Sequence, residues 1–178
     1  GERPALVMGE VVSPDYFDPL GVNLATGRPI SPDEAAVANS APVIILSHGL
    51  WQRQFGESPN VLGATVDLGV VPAPIAAVMP EGFHLLNPDT DIWLYQADTD
   101  LQRATRSPNR LFTLVGRLKP GVTIAEAQAE MNGLAEVIGT EFPETHMGWG
   151  LKVESLRDAS AGGWRQLLWI FQGAVLLV

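Results

Sequence analysis

Residues Leu111 to Leu156 read LFTLVGRLKPGVTIAEAQAEMNGLAEVIGTEFPETHMGWGLKVESL, and this stretch predicts a strand, a turn, a long helix and a second strand. Phe112, Leu114 and Leu118 recur at every second position with Gly116 in the gap, the pattern of a half-buried strand. Lys119-Pro120-Gly121 stops it: Pro120 pre-sets φ for the second position of a β-turn, and Gly121 accepts the positive φ that a type II turn needs at the third. Thr123 with Glu126 three residues on forms a capping box, and Val122 is placed to staple onto Ala127, so a helix should begin at Ile124. Its apolar stripe is Ile124, Ala127, Met131, Leu134, Ala135 and Ile138, with Glu126, Glu130 and Glu136 outside it. Pro143 limits the helix to about Thr140, and Leu151 and Val153 then alternate with Lys152 and Glu154 as a second strand.

Working outward, Leu6 to Val12 reads as a strand, and Ser13-Pro14 as the start of a short helix carrying Tyr16, Phe17 and Leu20 up to Gly21. Gly27-Arg28-Pro29 reads as a loop, and Ser31, Pro32 and Glu34 as another capping box. Pro42 to Leu46 is a short apolar strand. Ser47 then caps a helix from His48 to Phe55 that turns Leu50, Trp51 and Phe55 inward and ends at Gly56. Ala64 to Leu68 and Ile75 to Met79 form a hairpin around Gly69, Pro72 and Pro74; Pro80-Glu81-Gly82 is a turn, Ile92 to Tyr95 an aromatic strand, and Asp98 to Asn109 a polar connection. Although short local connections are the default, Leu6 to Val12 is expected to pair with Leu111 to Leu118 and Leu151 to Leu156 in one sheet.

The 178 residues suffice for a sizeable core, and 46% hydrophobic with 17% charged residues excludes a disordered chain. A net charge of −9, from 11 basic and 20 acidic residues, with no Lys/Arg cluster excludes a nucleic-acid surface. The absence of cysteine removes disulfides and thiolate metal sites, and the first residues carry no basic segment followed by an apolar run of signal-peptide length. From Leu167 to Val178 twelve residues carry no charge. They are too few for a bilayer span of about 20. Two readings fit them, a buried C-terminal helix or the head of a span preceded by an interfacial Trp164, Arg165 and Trp169.

No residue pattern meets the requirements of catalysis. Ser47 and His48 are sequence neighbours without a G-x-S-x-G turn, so they read as a helix cap followed by an exposed ring. His84 and His146 are isolated, Asp89, Asp91, Asp98 and Asp100 lack the spacing and central glycine of a calcium loop, and no phosphate-binding G-x-x-x-x-G-K-[ST] occurs. Trp51 and Trp93 read as core, and Trp149, between Gly148 and Gly150, as the one exposed indole. The expectation is therefore no catalytic, cofactor-binding or metal-binding residue.

VSPDYFDPLGVNLATGR at Val12 to Arg28, VIILSHGLWQRQFG at Val43 to Gly56, VLGATVDL at Val61 to Leu68, AAVMPEGF at Ala76 to Phe83, DIWLY at Asp91 to Tyr95 and GRLKPGVTIAEAQAEM at Gly116 to Met131 resemble, in order, the periplasmic core domain of MacB-like (FtsX-like) ABC transporter permeases. The resemblance implies an α+β fold in which a βαβ porter-like subdomain, residues 1–41 with 110–160, is interrupted by a strand-rich Sabre-like insertion, residues 42–109. It implies that residues 164–178 start a transmembrane helix, and that the porter's first strand and helix are missing from the chain. It further implies a non-catalytic domain on the periplasmic or extracellular side of the bacterial cytoplasmic membrane, coupling cytoplasmic ATP hydrolysis to movement and export (mechanotransmission). Its partners would be the membrane through the helix near Leu167, a separate ATPase, a second permease copy and a periplasmic adaptor. The alternative is a free-standing secreted ligand-binding module or hydrolase.

Overall fold

The computed structural model describes residues 6–13, 15–30, 42–69, 72–95 and 113–159. In order these residues form β1 (Gly9–Val12), a 3-10 turn (Asp18–Leu20), β2 (Thr26–Gly27), β3 (Val43–Leu46), α1 (His48–Phe55), a second 3-10 turn (Pro59–Val61), β4 (Thr65–Asp67), β5 (Pro72–Val78), β6 (Ile92–Tyr95), α2 (Ile124–Glu141) and α3 (Pro143–His146). The fold is mixed α+β. Two compact units divide it: the described residues up to His84 with those of Asp89 to Arg117, and Leu85 to Pro88 with the described residues from Leu118 onward.

The first unit is built on a sheet of order β1-β6-β3-β5-β2, with β4 pairing β5 off this path. Pairing is parallel for β1 with β6 and for β3 with β5, and antiparallel for β3 with β6 and for β2 and β4 with β5. β3 is central and reads Val-Ile-Ile-Leu without alternation because both its faces are covered. Ile44 and Leu46 enter one core with Leu50, Val61, Ala73, Ile75, Val78 and Ile92, while Ile45 enters the opposite core with Val12, Ile30, Ala77, Met79, Trp93 and Tyr95. α1 lays Leu50, Trp51 and Phe55 on the first face; Tyr16, Phe17, Val22 and Leu24 of the β1–β2 loop cover the second. Each fully buried aliphatic side chain in this sheet contributes about 2 kcal/mol.

Several expectations are corrected. Leu6 to Val12 gives a strand only over Gly9–Val12, and that strand pairs with β6, Gly9 opposite Ile92 and Val12 opposite Tyr95, rather than with Leu111 to Leu118 or Leu151 to Leu156. No strand forms over 113–119 or 151–155, where Leu114 is 79% exposed, and Leu118 and Leu151 are also exposed. Alternation licenses a strand only where a partner accepts its ladder bonds. At 151–153 that partner is a side chain: the Gln128 amide of α2 donates to the Leu151 carbonyl at 2.7 Å and accepts from the Val153 N–H at 2.7 Å. The short helix expected from Ser13 shrinks to a 3-10 turn, because Pro19 lacks the N–H that an α-turn would use. Gly27, expected in a loop, lies in β2.

α2 starts at Ile124 as expected and runs one residue past Thr140 to Glu141. Both halves of its capping box form, the Thr123 hydroxyl accepting from the Glu126 N–H and the Glu126 carboxylate accepting from the Thr123 N–H. Its stripe is only partly buried, with Ala127 covered, Met131, Ala135 and Ile138 half-buried, and Ile124 and Leu134 exposed. No helix among the described residues is long and apolar enough to cross a membrane. The expectations for Phe112, for Pro14, for Ser31 to Glu34, for Asp98 to Asn109 and for Trp164, Arg165, Trp169 and Leu167 to Val178 lie outside the described residues.

Candidate functional site

Ser47 sits where β3 meets α1. Its hydroxyl accepts from the Leu50 N–H at 3.1 Å, so its lone pairs serve the helix start. The His48 ring packs edge-on against Trp51 at 5.4 Å. The pair is thus placed as a cap and a packed, half-buried ring, and no carboxylate among the described residues orients His48. His146 bonds the Thr145 hydroxyl through Nδ1 at 2.7 Å and packs between the rings of Phe142 and Trp149, which makes Trp149 half-buried rather than exposed.

Asp91 is bonded through both carboxylate oxygens and through its backbone. One carboxylate oxygen takes the Arg53 guanidinium at 2.6 Å, the other accepts from the Met8 N–H at 3.3 Å, and its backbone N–H bonds the Met8 carbonyl. It therefore pins the end of α1 and the entry of β1 onto β6, which explains an aspartate in front of the aromatic strand without a metal. Beside it Thr90 donates to Glu10 at 2.6 Å. Among the described residues no group of three His, Asp or Glu side chains is arranged for a metal ion.

The chemically distinctive place lies on the opposite face of the sheet. Phe17 packs edge-on against Trp93 at 5.9 Å and tilted against Tyr95 at 6.2 Å; Phe83 covers Trp93 from another side at 5.6 Å. Trp93 is 1% exposed and its indole N–H has no acceptor among the described residues, at a cost of about 1–3 kcal/mol. Alongside lies a cavity of about 170 Å³ lined by Phe17, Asp18, Val22, Leu24, Ile45 and Tyr95, among others. Burial pushes the Tyr95 hydroxyl far above the ordinary tyrosine range, and the negative charges of Asp18 and Asp15 add to it. Sequence reading found Trp93 as core but missed this cluster. Its only sequence signal was the pair Tyr16-Phe17 in a loop facing an aromatic strand.

The model of the MacB-like periplasmic core domain family matches residues 1–134. No curated protein matches the chain. Among solved structures, the extracellular domain of the noncanonic ABC-type transporter YknZ from Gram-positive bacteria is similar at 15% identity and a TM-score of 0.54, over 84% of this chain and 70% of that one. The periplasmic region of MacB from Actinobacillus actinomycetemcomitans is similar at 21% identity and a TM-score of 0.48, over 75% of this chain and 56% of that one. The chain thus spans little more than half of that region. With the family match covering all of the sheet unit's strands and most of α2, the chain belongs to the MacB-like periplasmic core domain family.

Proposed function

We propose that the chain is the extracytoplasmic domain of an ABC transporter permease, and that it passes on motion driven by ATP hydrolysis elsewhere without performing chemistry itself. The family match over residues 1–134 carries this reading. It is supported by the occupation of Ser47 as a helix cap and of Asp91 as a structural staple, which leaves both groups in framework roles. Membrane attachment through a helix beginning near Leu167, a separate ATPase, a second permease copy and a periplasmic adaptor belong to the same proposal.

The domain boundary belongs to it as well. The proposal places the Sabre-like insertion at residues 42–109 and the porter-like subdomain at residues 1–41 with 110–160; the described residues of the insertion other than 85–88 fall in the first compact unit and 118–159 in the second, while the described residues up to 30 and 113–117 fall with the insertion. β1 and β2, assigned by resemblance to the porter, pair within the sheet of the insertion. The apolar residues left exposed on α2 and along 113–119 and 151–155 are those a further strand and helix of the whole protein would cover.

Membrane vesicles carrying the whole transporter test the reading. Excising residues 42–109 should abolish ATP-dependent export while nucleotide binding persists. The purified chain should turn over neither ATP nor model esters. Turnover that disappears in Ser47→Ala or His48→Ala would overturn the non-catalytic reading.

A further inference from the structure

The cavity beside Tyr95 is too small for the drug-sized ligands that fill pockets of about 300–1,000 Å³. Its volume of about 170 Å³ suits a single side chain. Its walls are apolar and aromatic on most sides, from Phe17, Val22, Leu24, Ile45 and Tyr95, and among the described residues the one charged residue lining it is Asp18. Asp18 opens the 3-10 turn, is exposed, and has no hydrogen bond or ion pair to its carboxylate among the described residues. Asp15 is already bonded by the Ser13 hydroxyl at 2.7 Å. Among the described residues the Arg28 guanidinium donates to the Pro29 carbonyl at 3.3 Å and that of Arg117 to the Pro19 carbonyl at 2.7 Å, and neither is bonded to Asp18. Among the described residues the charges that raise the Tyr95 hydroxyl are both negative, from Asp18 and Asp15.

We infer that this cavity receives one arginine side chain presented by a partner polypeptide, with Asp18 taking the guanidinium and Phe17 and Tyr95 flanking the methylene stem. Three properties select that occupant. An unpaired carboxylate at the rim asks for a cation. Aromatic rings beside it favour a weakly hydrated planar cation over a compact ammonium. The apolar remainder covers an aliphatic stem, which is how long basic side chains bury their methylenes while the charged end stays near water. An inserted anchor of this kind, surrounded by neutral contacts, is the usual centre of a protein–protein docking site. The inference does not depend on the permease reading, so the two can fail separately.

The test is titration of the isotopically labelled 178-residue chain with N-acetylarginine amide, its neutral isostere N-acetylcitrulline amide, and N-acetyllysine amide, followed by amide chemical shifts. The arginine probe should give saturable shifts at Phe17, Gly21, Val22 and Leu24 with a dissociation constant on the order of 1 mM. Citrulline should bind at least about tenfold more weakly and lysine between the two. Asp18→Asn should erase the preference for arginine over citrulline. Leu24→Trp, which fills the cavity while leaving every charge in place, should abolish binding and serves as the second variant if Asp18→Asn disturbs the turn. Equal binding of arginine and citrulline, shifts confined to other surfaces, the absence of saturation, or full binding by Leu24→Trp would each overturn the inference.

Discussion

At the scale of single residues, Tyr16 and Tyr95 are the only tyrosines in the chain, and both resist ionisation. Burial first, and then the nearby Glu10 carboxylate, push Tyr16 from 10.0 up to about 12, and Tyr95 is raised further by burial and by Asp18 and Asp15. A raised folded-state value means that the stabilisation is full below the unfolded value near 10 and is lost as pH rises through the folded value. Alkaline titration should therefore show no phenolate absorbance from the folded chain at pH 10, and its later appearance should coincide with loss of the aromatic circular dichroism. About a quarter of the full phenolate signal at pH 10 in a folded chain would contradict the packing of one of these rings, and about half would contradict both. Gly27 offers a second check. At φ +89° a Cβ there would lie 2.3 Å from the Ala76 carbonyl oxygen, whereas at Gly63, φ +78°, a Cβ would meet nothing within 4 Å. Denaturant unfolding should give about 1–2 kcal/mol of destabilisation for Gly63→Ala, from the left-handed backbone alone, and clearly more for Gly27→Ala, which must also push β2 off β5. Equal losses would show that β2 is not held against β5 at this spacing.

Elements separate into those their own residues specify and those a neighbour specifies. α1 and α2 were legible because their signals are local: Ser47 and Thr123 accept from amides three residues on, and Gly56 ends α1 at φ +58°. Replacing either cap by alanine should cost about 1 kcal/mol, read as a lowered unfolding midpoint with an unchanged denaturant slope. The Glu126 carboxylate, exposed and held below its usual range by the Thr123 amide and then the Thr123 hydroxyl, makes the cap of α2 weaken as pH falls through that lowered value. The β3–α1 segment and β6 were legible too, since a short apolar run bounded by turn residues leaves little choice; the β4–β5 hairpin was legible as a pairing but not in its register, because Pro72 and Pro74, expected in its loop, lie in β5 opposite Asp67 and Thr65. The partner of β1 was not. Leu6 to Val12 carries no mark that distinguishes Ile92–Tyr95 from Leu111–Leu118, and the staple that decides it, Asp91 to Met8 and Arg53, spans more than eighty residues of sequence. The strand expected at Leu151 to Leu156 failed for a related reason: a helix glutamine occupies the backbone groups that a ladder would use. Gln128→Ala should consequently speed amide exchange at Val153, while exchange in β3 stays unchanged. The candidate cavity was invisible because its rim comes from the β1–β2 loop and its floor from β3 and β6.

For the whole molecule, the family match and the residues that surround it make one consistent account: a sheet buried on both faces, a second unit with apolar residues left uncovered, and an uncharged C-terminal run. If Leu167 to Val178 begins a membrane helix, deleting it should leave the melting temperature of the remaining chain nearly unchanged and raise its solubility. Loss of three or four buried aliphatic side chains would instead cost several kcal/mol, on the order of 2 kcal/mol each. The central claim is that this domain faces outward from the cytoplasmic membrane as part of a permease. The chain contains no cysteine, so single exposed positions, Gln54→Cys on α1 and Glu130→Cys on α2, can be introduced into the whole protein with its other cysteines replaced. Labelling cells whose cytoplasmic membrane is intact with a membrane-impermeant maleimide measures the side directly. The account predicts that both positions are modified before lysis, to the extent reached after it; modification of either one only after the membrane is broken would contradict it.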